Sequence, residues 1–167
     1  MRKLFAGFCC VALCCMPAMA QKKAPMTDQQ FVDFAAQTDM VEANLGQLAQ
    51  TSSDSQSVKD YGQMLVTDHT KDFSDLHAAA QQASLTVADA IDATHNKQMI
   101  DPFQKLKGAA FDRKFAQEMT AGHEKALAVY KNEADNAQNP AIKTYAQNAL
   151  PVLQKHEDAA KDLAKKK

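Results

Sequence analysis

Between Phe31 and Leu163 the apolar residues of this chain recur at intervals of three and four, and nowhere do they alternate in twos. That spacing is the period of one buried face of an α-helix, so the chain is constrained to fold as packed helices. Four long stripes can be followed. The first runs through Phe31, Phe34, Ala35, Val41, Leu45, Leu48 and Ala49, and the second through Val58, Tyr61, Leu65, Phe73 and Leu76. The third takes in Phe111, Phe115, Met119, Ala126 and Tyr130, and the last Ile142, Tyr145, Ala149, Leu153, Ala160 and Leu163. Thr27-Asp28-Gln29-Gln30 has the spacing of a capping box ahead of the first stripe.

The breaks between stripes give the connectivity. Thr51 to Ser55 interrupts the first pair, and Asn136-Ala137-Gln138-Asn139-Pro140 the second. Both are short, as antiparallel hairpins require. The middle segment, Ser84 to Lys107, is less regular. Ile91, Met99, Phe103 and Leu106 suggest one or two short helices there, with Asp101 as a cap, Pro102 at the first helical position and Gly108 closing the piece. The expected fold is all-α, a ferritin-like four-helix bundle of two antiparallel hairpins joined by a short-helix crossover. A weak internal similarity agrees: Tyr61, Leu65, His69 and Phe73 match Phe115, Met119, His123 and Leu127 at identical spacing.

Ahead of the bundle lies a segment of another kind. Arg2 and Lys3 precede an uncharged run from Leu4 to Met16, and Ala18 and Ala20 stand where signal peptidase needs small side chains. The run has 13 residues, too short for a membrane-crossing helix of about 20. Residues 1–20 are therefore expected to be a cleaved signal peptide and 21–26 a polar lead-in, with the bundle over 27–167. A lipoprotein signal is the weaker alternative, because Cys9 follows Phe8 and Cys14 follows Leu13 where a small residue is wanted. All four cysteines (Cys9, Cys10, Cys14 and Cys15) fall inside this leader. The exported chain would hold no thiol, which removes thiolate catalysis, Fe–S clusters and cysteine-zinc sites from consideration. With 19 basic against 20 acidic residues there is no excess of positive charge for nucleic acid. The location expected is the periplasm or cell envelope. An envelope protein or a second copy of the chain is left open as partner.

What interrupts the stripes is the informative feature. The second passes through His69, the third through His123 and the fourth through His156, while Glu42 lies at or beside the seam of the first. In an antiparallel hairpin two residues are level when their midpoint falls on the turn. The midpoint of Glu42 and His69 lies between Ser55 and Gln56, and that of His123 and His156 between Asn139 and Pro140. Each pair is thus close to coplanar, though the height of one hairpin against the other is not set by this argument. Three neutral imidazoles and a carboxylate suit one transition-metal ion (Zn, Cu, Mn or Fe). The competing reading is a buried polar network in which the histidines bond to Glu42, tyrosines or water.

Other candidates are weaker. Asp72, one turn beyond His69, could orient it, although a solvated acid beside Lys71 is the plainer reading. Asp68, Glu124 and Glu157 each neighbour a histidine, but one residue turns about 100° around a helix. His77 could line the groove lower down and His95 sits in the crossover. The methionines Met40, Met64, Met99 and Met119 are scattered as packing residues are. Gly46, Gly62 and Gly122 lie inside helices, and close helix approach is the simplest reason for them. No nucleophile elbow, catalytic triad order or phosphate loop is present.

Several stretches resemble an exported bacterial family catalogued as a domain of unknown function, four-one-four-two, and grouped with ferritin-like folds. They are Phe31-Val32-Asp33-Phe34-Ala35-Ala36 with Glu42, Gln63-Met64-Leu65-Val66-Thr67-Asp68-His69, Gly108-Ala109-Ala110-Phe111-Asp112-Arg113, His123-Glu124, and Leu150-Pro151-Val152-Leu153 with His156. The resemblance implies a periplasmic or outer-membrane helical bundle, with Glu42, His69, His123 and His156 at motif positions and no assigned reaction. Di-iron bundles carry Glu-x-x-His on two helices. Here Val66 and Leu153 stand three residues before His69 and His156. Ferroxidase chemistry is therefore not expected, and a mononuclear site or none remains.

Overall fold

A computed structural model describes residues 26–165. The expected signal peptide, the alternative lipidation site and most of the polar lead-in lie outside the described residues. Four long helices are present: α1 (Asp28–Ser52), α2 (Gln56–Ala83), α4 (Gly108–Asn136) and α5 (Pro140–Lys165). A single turn, α3 (Ala93–His95), opens a π-helical stretch (Asn96–Ile100) and a 3-10 turn (Asp101–Phe103) in the crossover. No strand occurs among the described residues, as the absence of alternating apolar residues predicts.

Helix α1 starts where the capping box says it should. The Thr27 hydroxyl accepts from the Gln30 backbone N–H at 3.2 Å, and the Gln30 side chain accepts in return from the Thr27 N–H at 3.0 Å. The break after it is a three-residue link, Ser53 to Ser55. Within this hairpin the backbones touch: a Cβ placed on Gly46 would lie 2.5 Å from the carbonyl oxygen of Gly62. Both glycines are thus explained by the close approach of α1 and α2. Gly122 has another setting, facing Oε1 of Glu42 across α1 and α4.

The crossover returns along α1 for the full length of the bundle. Gln29 clamps Thr86 through the backbone, donating to its carbonyl at 2.8 Å and accepting from its N–H at 3.1 Å. Gln37 does the same a few residues on, donating to the Ala90 carbonyl and accepting from the Asp92 N–H. Ile100 and Phe103 then plug the lower core, and Lys107 reaches the Thr51 carbonyl and the Ser52 hydroxyl at the end of α1. This route makes α2 and α4 parallel, and α1 and α5 antiparallel to both. Asp28 closes the other end by accepting from the N–H groups of Gln138 and Asn139. The crossover departs from expectation in detail. Asp101 lies within the 3-10 turn rather than capping it, and Gly108, at φ +53°, is the first residue of α4 rather than the stop of the preceding piece.

The buried side chains form two clusters, not one. The upper holds Phe31, Leu76, Tyr130, Ile142, Tyr145 and Leu153; the lower holds Leu45, Leu65, Phe103, Phe111, Phe115 and Met119. Between them in each chain segment lie Asp39 and Glu42, His69, His123 and His156. A polar layer divides the core. None of the described helices is long and apolar enough to cross a membrane.

Candidate metal centre

Each long helix delivers one buried polar group or more to this layer, and the heights of the two hairpins match. The rings of His69 and His156 are 5.1 Å apart between centroids, those of His123 and His156 5.2 Å, and those of His69 and His123 5.9 Å. One nitrogen from each of the three lies within 4.8 Å of the other two. All three rings are buried, His156 completely.

Hydrogen-bond partners decide which nitrogen each ring has to offer. Nδ1 of His69 donates to Oδ1 of Asp39 at 2.8 Å. Nδ1 of His123 donates to the Met119 carbonyl, one turn back on its own helix, at 2.8 Å. His156 is turned the other way, its Nε2 donating to Oδ2 of Asp68 at 2.9 Å. Three acceptors have thus taken the three ring protons. What faces inward is a set of lone pairs on Nε2 of His69, Nε2 of His123 and Nδ1 of His156. The His69 nitrogen has no hydrogen-bond partner among the described residues. The other two are 3.3 Å apart, and a proton could lie between them only if one of the rings were charged.

Such a set is chemically incomplete. Buried polar atoms find partners in nearly all cases, and lone pairs that converge without a proton repel. A cation resolves this. Three nitrogens around an ion at about 2.0–2.1 Å would stand about 3.5 Å from each other. The His123–His156 pair already has about that separation, and the His69 nitrogen lies within 4.8 Å of both. Partners on the far ring nitrogens, a carboxylate or a carbonyl each time, are what metal-bound histidines carry.

The electrostatics hold His156 neutral and draw His69 the other way. Burial, reinforced by its histidine neighbours, pulls the pKa of His156 down to about 4 despite its bond to Asp68. Burial raises Asp39 to about 7, against the lowering effect of its bond to His69. Burial disfavours a charged His69, but Asp39 and Glu42 outweigh it and move that ring upward. Asp68 is pushed up by partial burial and down further by His156 and Lys155, and stays below its ordinary value.

The four expected ligands are therefore not placed alike. His69, His123 and His156 come together; Glu42 does not belong to the group of converging atoms. Its Oε1 is 3.9 Å from Nδ1 of His123, the nitrogen already committed to Met119. Asp72 does not orient His69 either. Its carboxylate accepts from the Tyr145 hydroxyl at 2.6 Å, and Tyr145 in turn meets the Tyr130 hydroxyl at 3.2 Å. Asp39 holds the place expected of it. The signal for Asp39 was present in the sequence: it lies four residues after Ala35 and three before Glu42, on the same stripe, and the actual turn centres on Asp54, midway between Asp39 and His69. Asp68 was set aside because it points away from His69. It points toward His156 instead, on the neighbouring helix.

His77 and His95 stay outside the layer, half-exposed beside Asp89 and Asp92. On the outer side of α2 and α5, Asp68, Asp72 and Tyr145 line a groove of about 660 Å³.

Three solved structures share this fold. CopM in the Cu(II)-bound form superposes with a TM-score of 0.62 at 15% identity, covering 84% of this chain and 97% of that one. CopM in the Cu(I)-bound form gives 0.63 at 16%, and in the Ag-bound form 0.62 at 16%, each covering 82% of this chain and 94% of the other. At such identity the likeness is one of fold. No curated protein sequence matches. The profile of the family described as Domain of unknown function (DUF4142) matches residues 14–163, and the chain belongs to that family.

Proposed function

We propose that the protein is an exported helical bundle that binds one transition-metal ion through Nε2 of His69, Nε2 of His123 and Nδ1 of His156. The observation that carries this reading is the convergence of three proton-free ring nitrogens in a buried layer. Asp39, the Met119 carbonyl and Asp68 hold the rings, and Glu42 adds charge beside them. Similarity of fold to CopM, whose structures hold Cu(II), Cu(I) and Ag, makes copper the first ion to try. Imidazole sites also take zinc. The leader over residues 1–20 supports export, and the role that fits is to carry or buffer the ion rather than to turn over a substrate.

Elemental analysis of protein purified from its native compartment tests this. One equivalent of metal is expected, lost in His69→Ala and in His123→Ala. Added copper or zinc should raise the Tm of the stripped protein, and identical melting curves with chelator and with each ion would sink the reading.

One observation favours a second reading. The Asp39–His69 pair, 1% and 2% exposed, is joined by a 2.8 Å hydrogen bond without any ion. A layer of that kind can serve to fix the register of the helices, as buried polar groups do in some bundles. The protein would then be a non-catalytic interaction or stress module of the envelope. It would melt at the same temperature with and without metal.

A further inference from the structure

The charge of the layer bears on a question that the three nitrogens leave open, namely which charge of ion the site prefers. Asp39 and Glu42 lie one turn apart on the inner face of α1, exposed by 1% and 6%. Each has a carboxylate oxygen without a hydrogen-bond partner among the described residues: Oδ2 of Asp39 and Oε2 of Glu42. Neither acid has a lysine or arginine within ion-pair distance among the described residues, and no lysine or arginine is buried there. The other acids near the layer are differently placed. Asp68 is satisfied by His156 and Lys155 on the outer side; Asp72 accepts from the neutral Tyr145 hydroxyl and adds negative charge beside Asp39 and His69.

Two carboxylates facing three imidazoles, with no lysine or arginine among the described residues to balance them, make an interior short of fixed positive charge. Burying a carboxylate without a partner costs far more than burying a paired one. A doubly charged ion offsets about twice as much of this deficit as a singly charged one.

We propose that the site selects divalent over monovalent ions, and that Asp39 and Glu42 are the residues that set this preference. The proposal rests on the metal-binding reading above. Neither carboxylate need touch the ion, because Coulomb attraction acts across the few ångströms between them.

The test uses the linearity of that attraction in the ion's charge. Affinities of the full mature chain for Zn²⁺ and Ag⁺ are measured by competition with a chelator in mildly alkaline buffer. The comparison is of the wild type with Glu42→Gln and Asp39→Asn, substitutions that keep shape and, at Asp39, the acceptor for His69. If removing one negative charge weakens Ag⁺ by about tenfold, Zn²⁺ should weaken by about the square of that, a hundredfold. The exposed acid Asp75, 52% exposed, serves as control, and Asp75→Asn should leave both affinities unchanged. Equal loss for the two ions in both variants, or no loss, would overturn the proposal while leaving a metal site in place. A wild type that binds neither ion overturns the metal reading itself, and this inference with it. A second readout guards against misfolding. Glu42→Gln removes an unpaired buried charge, so the metal-free variant should melt above the metal-free wild type, while its gain in Tm on adding Zn²⁺ shrinks. A metal-free variant that melts lower with an undiminished gain from Zn²⁺ overturns the proposal.

Discussion

The apolar clusters and the polar layer between them are equally buried, yet they do opposite things to the fold. The lower cluster stacks Phe111 on Phe115 at 5.3 Å between ring centroids and sets Tyr61 edge-on to Phe115 at 5.8 Å. The rings there gain from leaving water, and the one hydroxyl among them, that of Tyr61, donates to the His156 carbonyl. In the layer a few ångströms away, Asp39 and His69 give up solvation for a single bond, and three of its polar atoms have no partner among the described residues. The clusters make the bundle stable, and the layer is where the proposed ion would bind. A chain that needed only stability would have continued the stripes with leucine.

The largest test of this division lies in the lower cluster. Phe115→Ala should lower stability by about 3–5 kcal/mol, the range for truncating a packed aromatic. Urea unfolding of the metal-free protein measures it. A loss below about 1 kcal/mol would mean that the cluster is not the main source of stability.

Acidification probes the layer instead. The folded-state pKa of His156 is about 4, below the ordinary value of 6.5. Above 6.5 the ring is neutral folded or unfolded, and its contribution is fully present. As pH falls from 6.5 toward 4 the unfolded chain takes up the proton first, so stability is lost over that window, at up to about 1.4 kcal/mol per pH unit. Below 4 the loss stops. Asp39 acts in the other sense: raised to about 7, it takes up its proton more readily in the folded protein and adds stability on acidification. The two oppose each other in the wild type. The groups facing His156 are Asp68 and His69 from α2 and His123 from α4, and they persist in His156→Gln. That variant should therefore lose less stability than the wild type between pH 6.5 and 4, read from urea midpoints at each pH. Parallel profiles would mean that His156 is not held neutral.

The same contrast explains what could be read from the chain alone. Helices, turns and core were legible, because apolar period is a property of single residues repeated many times. The capping box at Thr27 and the glycine pair Gly46 and Gly62 were legible for similar reasons, each being a local requirement of backbone geometry. The three histidines stood out as interruptions of a pattern. Asp39 and Asp68 did not, since what matters about them is a partner on another helix. An acid on a stripe reads as a fault until the ring it serves is known to be level with it. Glu42 was read as a ligand because it is on the seam, yet the direction of its carboxylate depends on how closely α1 approaches α4, which no spacing encodes. The crossover was hard for a related reason. Its backbone is held by Gln29 and Gln37, polar side chains of α1 that no rule of periodicity singles out.

Gly46→Ala joins the two regions and has an intermediate effect. A methyl group there would meet the Gly62 carbonyl oxygen at 2.5 Å, so α1 must move off α2. Overpacking of this sort costs about 1–3 kcal/mol. The Asp39–His69 bond spans the same interface. The variant should thus lose stability and also bind metal more weakly. A stability loss with unaltered affinity would show that the layer is insulated from the helix spacing beside it.

Thr27→Ala is the smallest change and the cleanest complement. The Thr27 hydroxyl satisfies one of the N–H groups that the first turn of α1 leaves without an intrahelical partner. Losing it costs about 1 kcal/mol in typical helices. The reciprocal bond, from the Thr27 N–H to the Gln30 side chain, can form in the variant, which keeps the loss modest. Between this cap and Asp39 lie three turns of α1 whose inner face, Phe31, Val32, Ala35 and Ala36, is completely buried in the upper cluster. Close-packed side chains of that kind hold the helix in place even where its end frays. Thr27→Ala should therefore lower Tm without altering the affinity for metal, the reverse of Glu42→Gln, which changes affinity and raises the melting temperature of the metal-free protein. A weaker metal site in Thr27→Ala would mean that the end of α1 and the layer move together, and that the upper cluster does not separate them.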